Sequence, residues 1–198
     1  TTIEHCEFDH NGLTDQTHNI YINDQAGTLI FRFNYSHDTA IGHLLKSRAA
    51  VNIIQYNRLS DDRGTGSYEL DLPNGGAADI IGNLIQQSAA SQNGTILAYG
   101  EEGIVSPKSQ LNIVNNTFIN DRRAGIFINA RKLPADFKLL VLNNIFAGPG
   151  TMTTARPTRS AGNLALPIAA AGFLNPAAFN FHLAAHSPAI GIGAPPGA

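Results

Sequence analysis

One short pattern recurs along the chain and constrains its fold more than any other feature. An apolar stretch leads into an asparagine, and apolar residues usually return just after it. Five full copies centre on Asn34, Asn57, Asn83, Asn116 and Asn144. A degenerate copy around Cys6 opens the chain, and a weak copy lies at Asn163. Because asparagine tolerates the left-handed backbone of a tight corner and can bond to the next asparagine in a stack, the pattern predicts one corner per turn of a solenoid.

The spacing of the repeat selects among repeat architectures. Successive centres are 28, 23, 26, 33, 28 and 19 residues apart, whereas a four-stranded propeller blade needs about 40 residues. Leucine-rich repeats need a leucine lattice that the chain lacks. Helical repeats need a 3.6-residue period, but the apolar runs here are short, rich in β-branched residues and bounded by Gly, Asn and Asp. We therefore predict an all-β fold, a right-handed parallel β-helix.

The same pattern predicts how far the β-helix extends. Residues 1–147 are assigned to its turns, and residues 148–198 to a loop-rich C-terminal turn and cap of the same domain. Residues 1–4 have the pattern of the middle of a strand, so we expect the β-helix to be truncated at its N-terminus. A signal segment would then lie outside this sequence.

Charge and composition exclude several classes of partner. Only 14% of the 198 residues are charged and the net charge is −2, which argues against nucleic acid because no basic stripe could release counterions. The sequence contains no run of 18 apolar residues, so it predicts no membrane-spanning helix. The single cysteine, Cys6, excludes an intramolecular disulfide. Much of the polarity comes from Asn, Gly, Ser, Thr and Gln, which suits a partner recognised by neutral hydrogen bonds.

Between the corners, each turn contains a further apolar strand whose alternation separates core from surface. The residues predicted to point inward, to within one residue, are Ile20, Leu44, Leu70, Ile96 and Ile128. Stacked strands lie about 4.8 Å apart, so outward side chains of neighbouring turns come within hydrogen-bonding reach. Two charged segments, residues 61–63 and 121–123, are interpreted as solvated loop tips.

The outward positions of the second and third turns supply the groups that a polysaccharide lyase needs. Such an enzyme neutralises a uronate carboxylate, removes the C5 proton with a base and protonates the leaving oxygen with an acid. The predicted catalytic residues are His43, Lys46, Arg48, Tyr68 and Glu69, and the predicted substrate-binding residues are His18, Tyr21, Asp71, Tyr99 and Glu101. Arg48 or Lys46 would neutralise the carboxylate. His43, His18 or Lys46 would be the base, and Tyr21 or Tyr68 the acid.

Three alternatives stay open at this point. A glycoside hydrolase would use paired carboxylates, Glu69 and Asp71, predicted on one strand face about 7 Å apart. A non-catalytic carbohydrate-binding surface protein would use the same face without turnover. Lys46 and Arg48 could also form purely structural ion pairs with Glu69 and Asp71 across turns.

The chain resembles the pectate-lyase-like superfamily of right-handed β-helices and, more narrowly, bacterial right-handed β-helix repeat proteins. The resemblance rests on residues 42–49, 72–76, 115–118 and 187–190 and extends over nearly the whole chain. It implies a carbohydrate-active protein located outside the cytoplasm, either extracellular or periplasmic. With the predicted site, it favours a lyase that acts on a uronate-containing polysaccharide by β-elimination.

A looser likeness connects the chain to the alginate and chondroitin lyases of the same superfamily. Their base lysine lies in a Lys-Ser string that Lys46 matches here, and the next corner asparagine matches Asn57. Thr39 and Ile41 stand where those enzymes carry two calcium-ligating glutamates, and Asp71 stands where they carry an arginine. The sequence therefore assigns no cofactor and leaves calcium open.

Overall fold

Three parallel β-sheets run along the molecule, and each complete turn of the chain contributes one strand to each sheet. The structure is a computed structural model that describes residues 1–14, 16–106 and 108–195. Its stacked strands form a parallel β-solenoid of about 6 turns. The predicted all-β solenoid is therefore confirmed.

The strands are short and align in parallel register from turn to turn. The first sheet contains Thr2–Glu4, Thr28–Arg32, Val51–Gln55, Ala77–Ile81, Gln110–Val114, Lys138–Leu142 and Arg159–Ala161. The second sheet contains Glu7–Asp9, Tyr35–His37, Arg58–Ser60, Leu84–Gln87, Thr117–Asn120, Ile145–Ala147 and Leu164–Leu166. The third sheet contains Tyr21–Ile22, Leu45–Ser47, Leu70–Leu72, Thr95–Tyr99, Ile126–Ala130 and Thr151–Thr153.

The repeated asparagines form one column at the corner between the first and second sheets. Asn57 shows the pattern: its backbone N–H and its side-chain amide both donate to Asn83 Oδ1, each at 2.9 Å. Its amide also donates to the Phe31 carbonyl of the preceding turn at 2.8 Å. The same bonds recur along the column from Asn34 to Asn163, so the predicted asparagine ladder is confirmed.

The residue before each asparagine, and not the asparagine itself, takes the left-handed backbone conformation. Six residues share this position, with φ between 54° and 69°: Phe33, Tyr56, Gly82, Asn115, Asn143 and Gly162. His5, which precedes Cys6 in the degenerate copy, has a φ of 54° as well. The expectation that the asparagine adopts this conformation is therefore wrong. The asparagine must direct both its backbone N–H and its side-chain amide along the stack. The chain therefore turns at the preceding residue, whose side chain points outward. The Phe33 and Tyr56 rings accordingly stack on the surface, 5.6 Å apart.

The core lies between the three sheets and follows the predicted alternation. In the third sheet, the inward column contains Leu45, Leu70, Leu97 and Ile128, which pair in register. Leu44 and Ile96, predicted to fill two of these places, lie one position earlier and are also buried. The prediction therefore holds within the one residue that it allowed.

After the last strand of the second sheet the chain folds back along the outside of that sheet. Two single-turn 3₁₀ helices, Ile168–Ala170 and Pro176–Ala178, flank the first strand of an antiparallel hairpin, Phe173–Asn175 with Asn180–Leu183. The hairpin residues Phe173 and Phe181 form a small second apolar cluster with Ala171 and with two residues of the second sheet, Ile119 and Ala147. The predicted boundary at residue 147 stays a prediction, since the three sheets continue beyond it.

One of the charged loop segments differs from its interpretation. Asp61 is fully buried, and its Oδ2 accepts a hydrogen bond of 2.8 Å from the backbone N–H of Gly66. Burial raises the pKa of Asp61 to about 7. The neighbouring Asp62 and Arg63 do reach solvent. The segment therefore inserts one carboxyl group into the interior instead of forming a solvated tip.

Candidate functional site

Alternation along the third sheet places the predicted cations on its outer face. The strand Leu45–Ser47 buries its first and last residues, and Lys46 points outward between them. Lys46 pairs in register with Tyr21 of the preceding turn and with Asp71 of the following turn. Arg48 is two residues further on and shares the same face. The structure therefore brings four of the predicted site residues together.

Three linked ion pairs connect the charged side chains, and they add Glu102 to the group. Lys46 Nζ lies 3.1 Å from Asp71 Oδ2 and 3.6 Å from Glu102 Oε1. The Arg48 guanidinium donates to both carboxylate oxygens of Glu102, at 2.7 and 2.8 Å, which is the two-pronged geometry that arginine forms with carboxylates. These hydrogen bonds hold the pKa of Glu102 below its usual range. Glu102, absent from the predicted site, is therefore central to the observed one.

Arg48 also positions a tyrosine hydroxyl. Its Nε–H donates to Tyr21 Oη at 2.8 Å, and its Nη1 donates to Asn74 Oδ1. A cavity of about 190 Å³ opens beside the guanidinium, between Asn74 and Val105. We name the ion-pair patch by its five members, Tyr21, Lys46, Arg48, Asp71 and Glu102.

The two carboxylates of the ion-pair patch occupy opposite environments. Asp71 is only 2% exposed, and this burial raises its pKa to about 6 even though Lys46 acts to lower it. Glu102 has 50% of its side chain exposed, and Arg48 lowers its pKa. Asp71 is therefore a fixed, buried partner of Lys46, whereas Glu102 covers the two cations from the solvent side.

A ladder of rings extends beside the ion-pair patch. The His18 and His43 rings stack with centroids 4.4 Å apart, and Tyr68 follows at 4.9 Å from His43. His43 N–H donates to His18 Nδ1 at 3.1 Å, and Tyr68 N–H donates to His43 Nδ1 at 3.2 Å. Each Nδ1 lone pair is therefore occupied by backbone, and the remaining Nε2 carries the proton of a neutral ring.

The same ladder keeps its histidines neutral. Burial, with a contribution from Lys46, lowers the pKa of His18 to about 4 and that of His43 to about 3. His43 Nε2 lies 3.5 Å from Asp71 Oδ2, where its proton faces a carboxylate. Neither ring offers a free lone pair, so the geometry does not support His43 or His18 as the general base.

Glu69 does not lie on the outer face where the sequence placed it. Its side chain is 1% exposed, one residue before the strand Leu70–Leu72. Glu69 Oε2 accepts from the Gln87 amide at 3.3 Å, while its Oε1 has no hydrogen-bond partner in the described part of the chain. Burial raises its pKa well above the usual range. Glu69 and Asp71 therefore cannot act as paired carboxylates on one exposed face.

Tyr99 is also inward, against the prediction that it binds substrate. It pairs in register with the buried Leu72 of the preceding turn and is itself fully buried. Its hydroxyl donates to the Gly76 carbonyl at 2.5 Å. The strand Thr95–Tyr99 is buried at all five positions, so alternation of polarity along it gave no reliable sign of which side faces solvent.

Glu101 belongs to a neighbouring group. Its Oε1 lies 2.6 Å from the Asn129 amide and 3.5 Å from Arg131 Nε, on the next turn. Glu102 points back instead, because its backbone N–H donates to the Pro73 carbonyl of the preceding turn at 3.0 Å. The glycines on either side of the Glu101–Glu102 pair were the only sequence signal of this tight turn.

The calcium site that the resemblance implies does not fit these residues. Thr39, at the position of one calcium-ligating glutamate, is buried, and its hydroxyl donates to the Asn11 carbonyl at 2.6 Å. Ile41, at the other position, offers no ligand. The patch carboxylates Asp71 and Glu102 already face Lys46 and Arg48. We therefore derive no step through calcium at this site.

Comparison of the chain with protein-family models, curated proteins and solved structures found no match. The superfamily resemblance of its motifs consequently stays a resemblance. The only helices in the described residues are single 3₁₀ turns, and neither is long and apolar enough to span a membrane. The functional proposal below rests on the fold and on the geometry of the ion-pair patch.

Proposed function

We propose that the ion-pair patch binds an acidic polysaccharide and cleaves it by β-elimination. The observation that carries the proposal is the Arg48–Glu102 contact, in which a guanidinium grips a carboxylate with two hydrogen bonds. A uronate carboxylate can occupy the same place, since Glu102 is half-exposed and reaches the patch from a surface turn. A polysaccharide substrate would place this protein outside the cytoplasm, in the extracellular space or the periplasm.

The patch supplies each group that β-elimination requires. Arg48 would neutralise the uronate carboxylate, which lowers the pKa of the adjacent C5–H. Once the substrate displaces Glu102, Lys46 Nζ would pass its ammonium proton to Asp71 Oδ2, 3.1 Å away, and the neutral amine would then take the C5 proton. The C5–H electron pair then forms the C4–C5 double bond as the C4–O bond breaks. Tyr21, held by Arg48 at 2.8 Å, would protonate the leaving oxygen.

The test is a panel of polyuronates and glycosaminoglycans, scored for unsaturated ends by ultraviolet absorbance. Lys46→Ala and Tyr21→Phe should each lower turnover by about 10²-fold or more, the usual scale for a general base or acid. Arg48→Ala should also weaken binding, because it touches the carboxylate in both ground and transition states. Lys138→Ala, an exposed lysine on the first sheet, is the matched control and should change neither.

A second candidate function has its own observation. Asp71 and Glu102 are carboxyl groups whose pKa values are shifted in opposite directions, the arrangement that separates acid from base in glycoside hydrolases. Glu102 would replace Glu69 in the pair that the sequence suggested. New reducing ends without unsaturated products would favour this reaction over elimination. Binding of an acidic polysaccharide without any product would instead identify a carbohydrate-binding protein.

A further inference from the structure

A second group of ionisable side chains lies away from the ion-pair patch, on the outer face of the second sheet. It connects the first turn to the second, because Asp9 pairs in register with His37 on the adjacent strand. Asp38 follows His37 directly, and Glu7 lies two residues before Asp9 on the same strand. We name the His37 cluster by its members, Glu7, Asp9, His10, His37 and Asp38.

Both nitrogens of the His37 ring face carboxylate oxygens. Nδ1 lies 2.9 Å from Asp38 Oδ2 and 3.3 Å from Asp9 Oδ1, and Nε2 lies 3.1 Å from Glu7 Oε1. His10 Nδ1 also contacts Asp9 Oδ1. One ligand atom each from Asp9, His37 and Asp38 lies within 4.8 Å of the other two. The Tyr35 ring stacks on His37 at 4.0 Å and limits the orientations that the imidazole can take.

The cluster contains more negative charge than fixed positive charge. In the described residues, no lysine or arginine lies within 4.0 Å of the carboxylates of Glu7, Asp9 or Asp38, and their only basic partners are histidines. Glu4, on the strand that precedes the cluster, has a permanent cation beside it in Arg32. A neutral imidazole can donate only one proton, so His37 satisfies carboxylates at both ring nitrogens only as the imidazolium or with a metal ion at one nitrogen.

We propose that Asp9, His37 and Asp38 bind a divalent transition-metal ion. Mixed imidazole and carboxylate sets suit zinc and its neighbours, whereas calcium prefers oxygen ligands alone. Ligand atoms about 2.0–2.2 Å from a tetrahedral zinc ion lie about 3.3 Å apart, close to the separations around His37 Nδ1. Glu7 would accept the Nε2 proton, which leaves the Nδ1 lone pair for the metal and fixes the ring, as carboxylates behind metal-binding histidines commonly do.

Such an ion would fasten the first turn of the described solenoid to the second. Asp9 and His10 belong to the first turn, and His37 and Asp38 to the second. The arrangement is confined to these turns, because Ser60 stands at the His37 position of the third turn and Arg58 at the position of Glu7. The site is therefore a local connection between two turns and not a property of the whole repeat.

Zinc titration of the metal-free protein, followed by calorimetry and by thermal melting, tests the proposal. The wild-type chain should bind one Zn²⁺, melt at a higher temperature with zinc, and give a tetrahedral visible spectrum with Co²⁺. Asp9→Asn and Asp38→Asn are close in shape to the native side chains and should weaken zinc binding by about tenfold or more. Glu7→Gln, which alters only the partner of Nε2, should weaken it by about 10–100-fold.

Two matched controls separate this site from adventitious binding. Cys6→Ser removes the exposed thiol beside His5, and His182→Ala removes an exposed imidazole outside the cluster. Both should bind zinc as the wild type does. Absence of zinc binding by the wild type, or binding that Asp9→Asn and Asp38→Asn leave undiminished, would overturn the proposal. Loss of binding in either control would assign the ion to that control residue instead.

Discussion

Replacing Asn83 by Ala tests whether the asparagine ladder holds the solenoid together. Asn83 lies in the middle of the column and is almost fully buried. Its Oδ1 accepts from the backbone N–H and the amide of Asn57, both at 2.9 Å. Its own amide donates to the Ile54 carbonyl at 2.9 Å and to Asn116 Oδ1 at 3.0 Å. The substitution therefore removes four hydrogen bonds and leaves the Asn57 N–H buried without an acceptor.

The expected cost follows from these contacts. A buried donor or acceptor that loses its partner costs about 1–3 kcal/mol, so an orphaned N–H together with three weakened groups gives a loss of about 2–5 kcal/mol. That is a large fraction of the 5–15 kcal/mol by which domains are usually stable. Alanine introduces no backbone strain, because the left-handed residue of this corner is Gly82 and not Asn83.

Urea unfolding followed by circular dichroism measures the effect, with Asn163→Ala as the matched control. Asn163 makes the corresponding bonds to Asn144 and to the Val141 carbonyl, but it is half-exposed at the end of the ladder. Water can replace its bonds, so the loss there should be about 1 kcal/mol. Equal losses for the two variants, or a loss below about 1 kcal/mol for Asn83→Ala, would refute burial of the amide bonds as the source of stability.

Three further predictions concern the charged groups. Burial raises the pKa of Asp61 to about 7 from an ordinary value of 3.8. The wild-type protein therefore loses stability as the pH rises between these values, because the buried carboxyl group must ionise. Asp61→Asn does not ionise, so its stability relative to wild type should increase from about pH 4 to pH 8 in parallel thermal melts. Glu102→Gln should free Arg48 and bind an acidic oligosaccharide about tenfold more tightly in calorimetry at low salt, and unchanged affinity would show that Glu102 does not compete for the site. Lys46→Ala should lower the unfolding free energy by about 1–3 kcal/mol, since it leaves Asp71 buried without its cation, and removing Asp71 as well should recover part of that loss in a double-mutant cycle.

The corners of the fold could be predicted from the sequence because each one is specified locally and then repeated. An asparagine flanked by apolar residues recurs at every corner after the first, where Cys6 stands. The Asn57 side chain, for example, bonds to the asparagines before and after it. Alternation in the strand Leu45–Ser47 likewise placed Lys46 and Arg48 on one face, because buried residues flank Lys46 on both sides. Where the two-residue alternation of the strand matched its burial, the direction of individual side chains could be predicted.

Glu69 and Tyr99 could not be placed in the same way. Glu69 precedes its strand and takes the column position of Leu44, and Tyr99 lies in a strand buried at every position. An apolar pattern does not predict which polar residues are buried, because their hydrogen-bond partners, such as Gln87, come from another turn. Glu102 was missed for a related reason: its direction depends on a turn that docks on the preceding turn at Pro73.

The unequal burial of its two carboxylates decides how the ion-pair patch can serve both structure and function. Asp71 lies beneath Lys46, and removing either partner would leave a buried charge, so this pair is fixed. Glu102 has half of its side chain in solvent, where an ion pair contributes little because water and salt compete for it. An incoming carboxylate can replace Glu102 at small cost while Asp71 keeps Lys46 in position. The proposed ligand site at Arg48 rests on this asymmetry, in which one carboxylate is buried and fixed while the other is exposed and faces two cations.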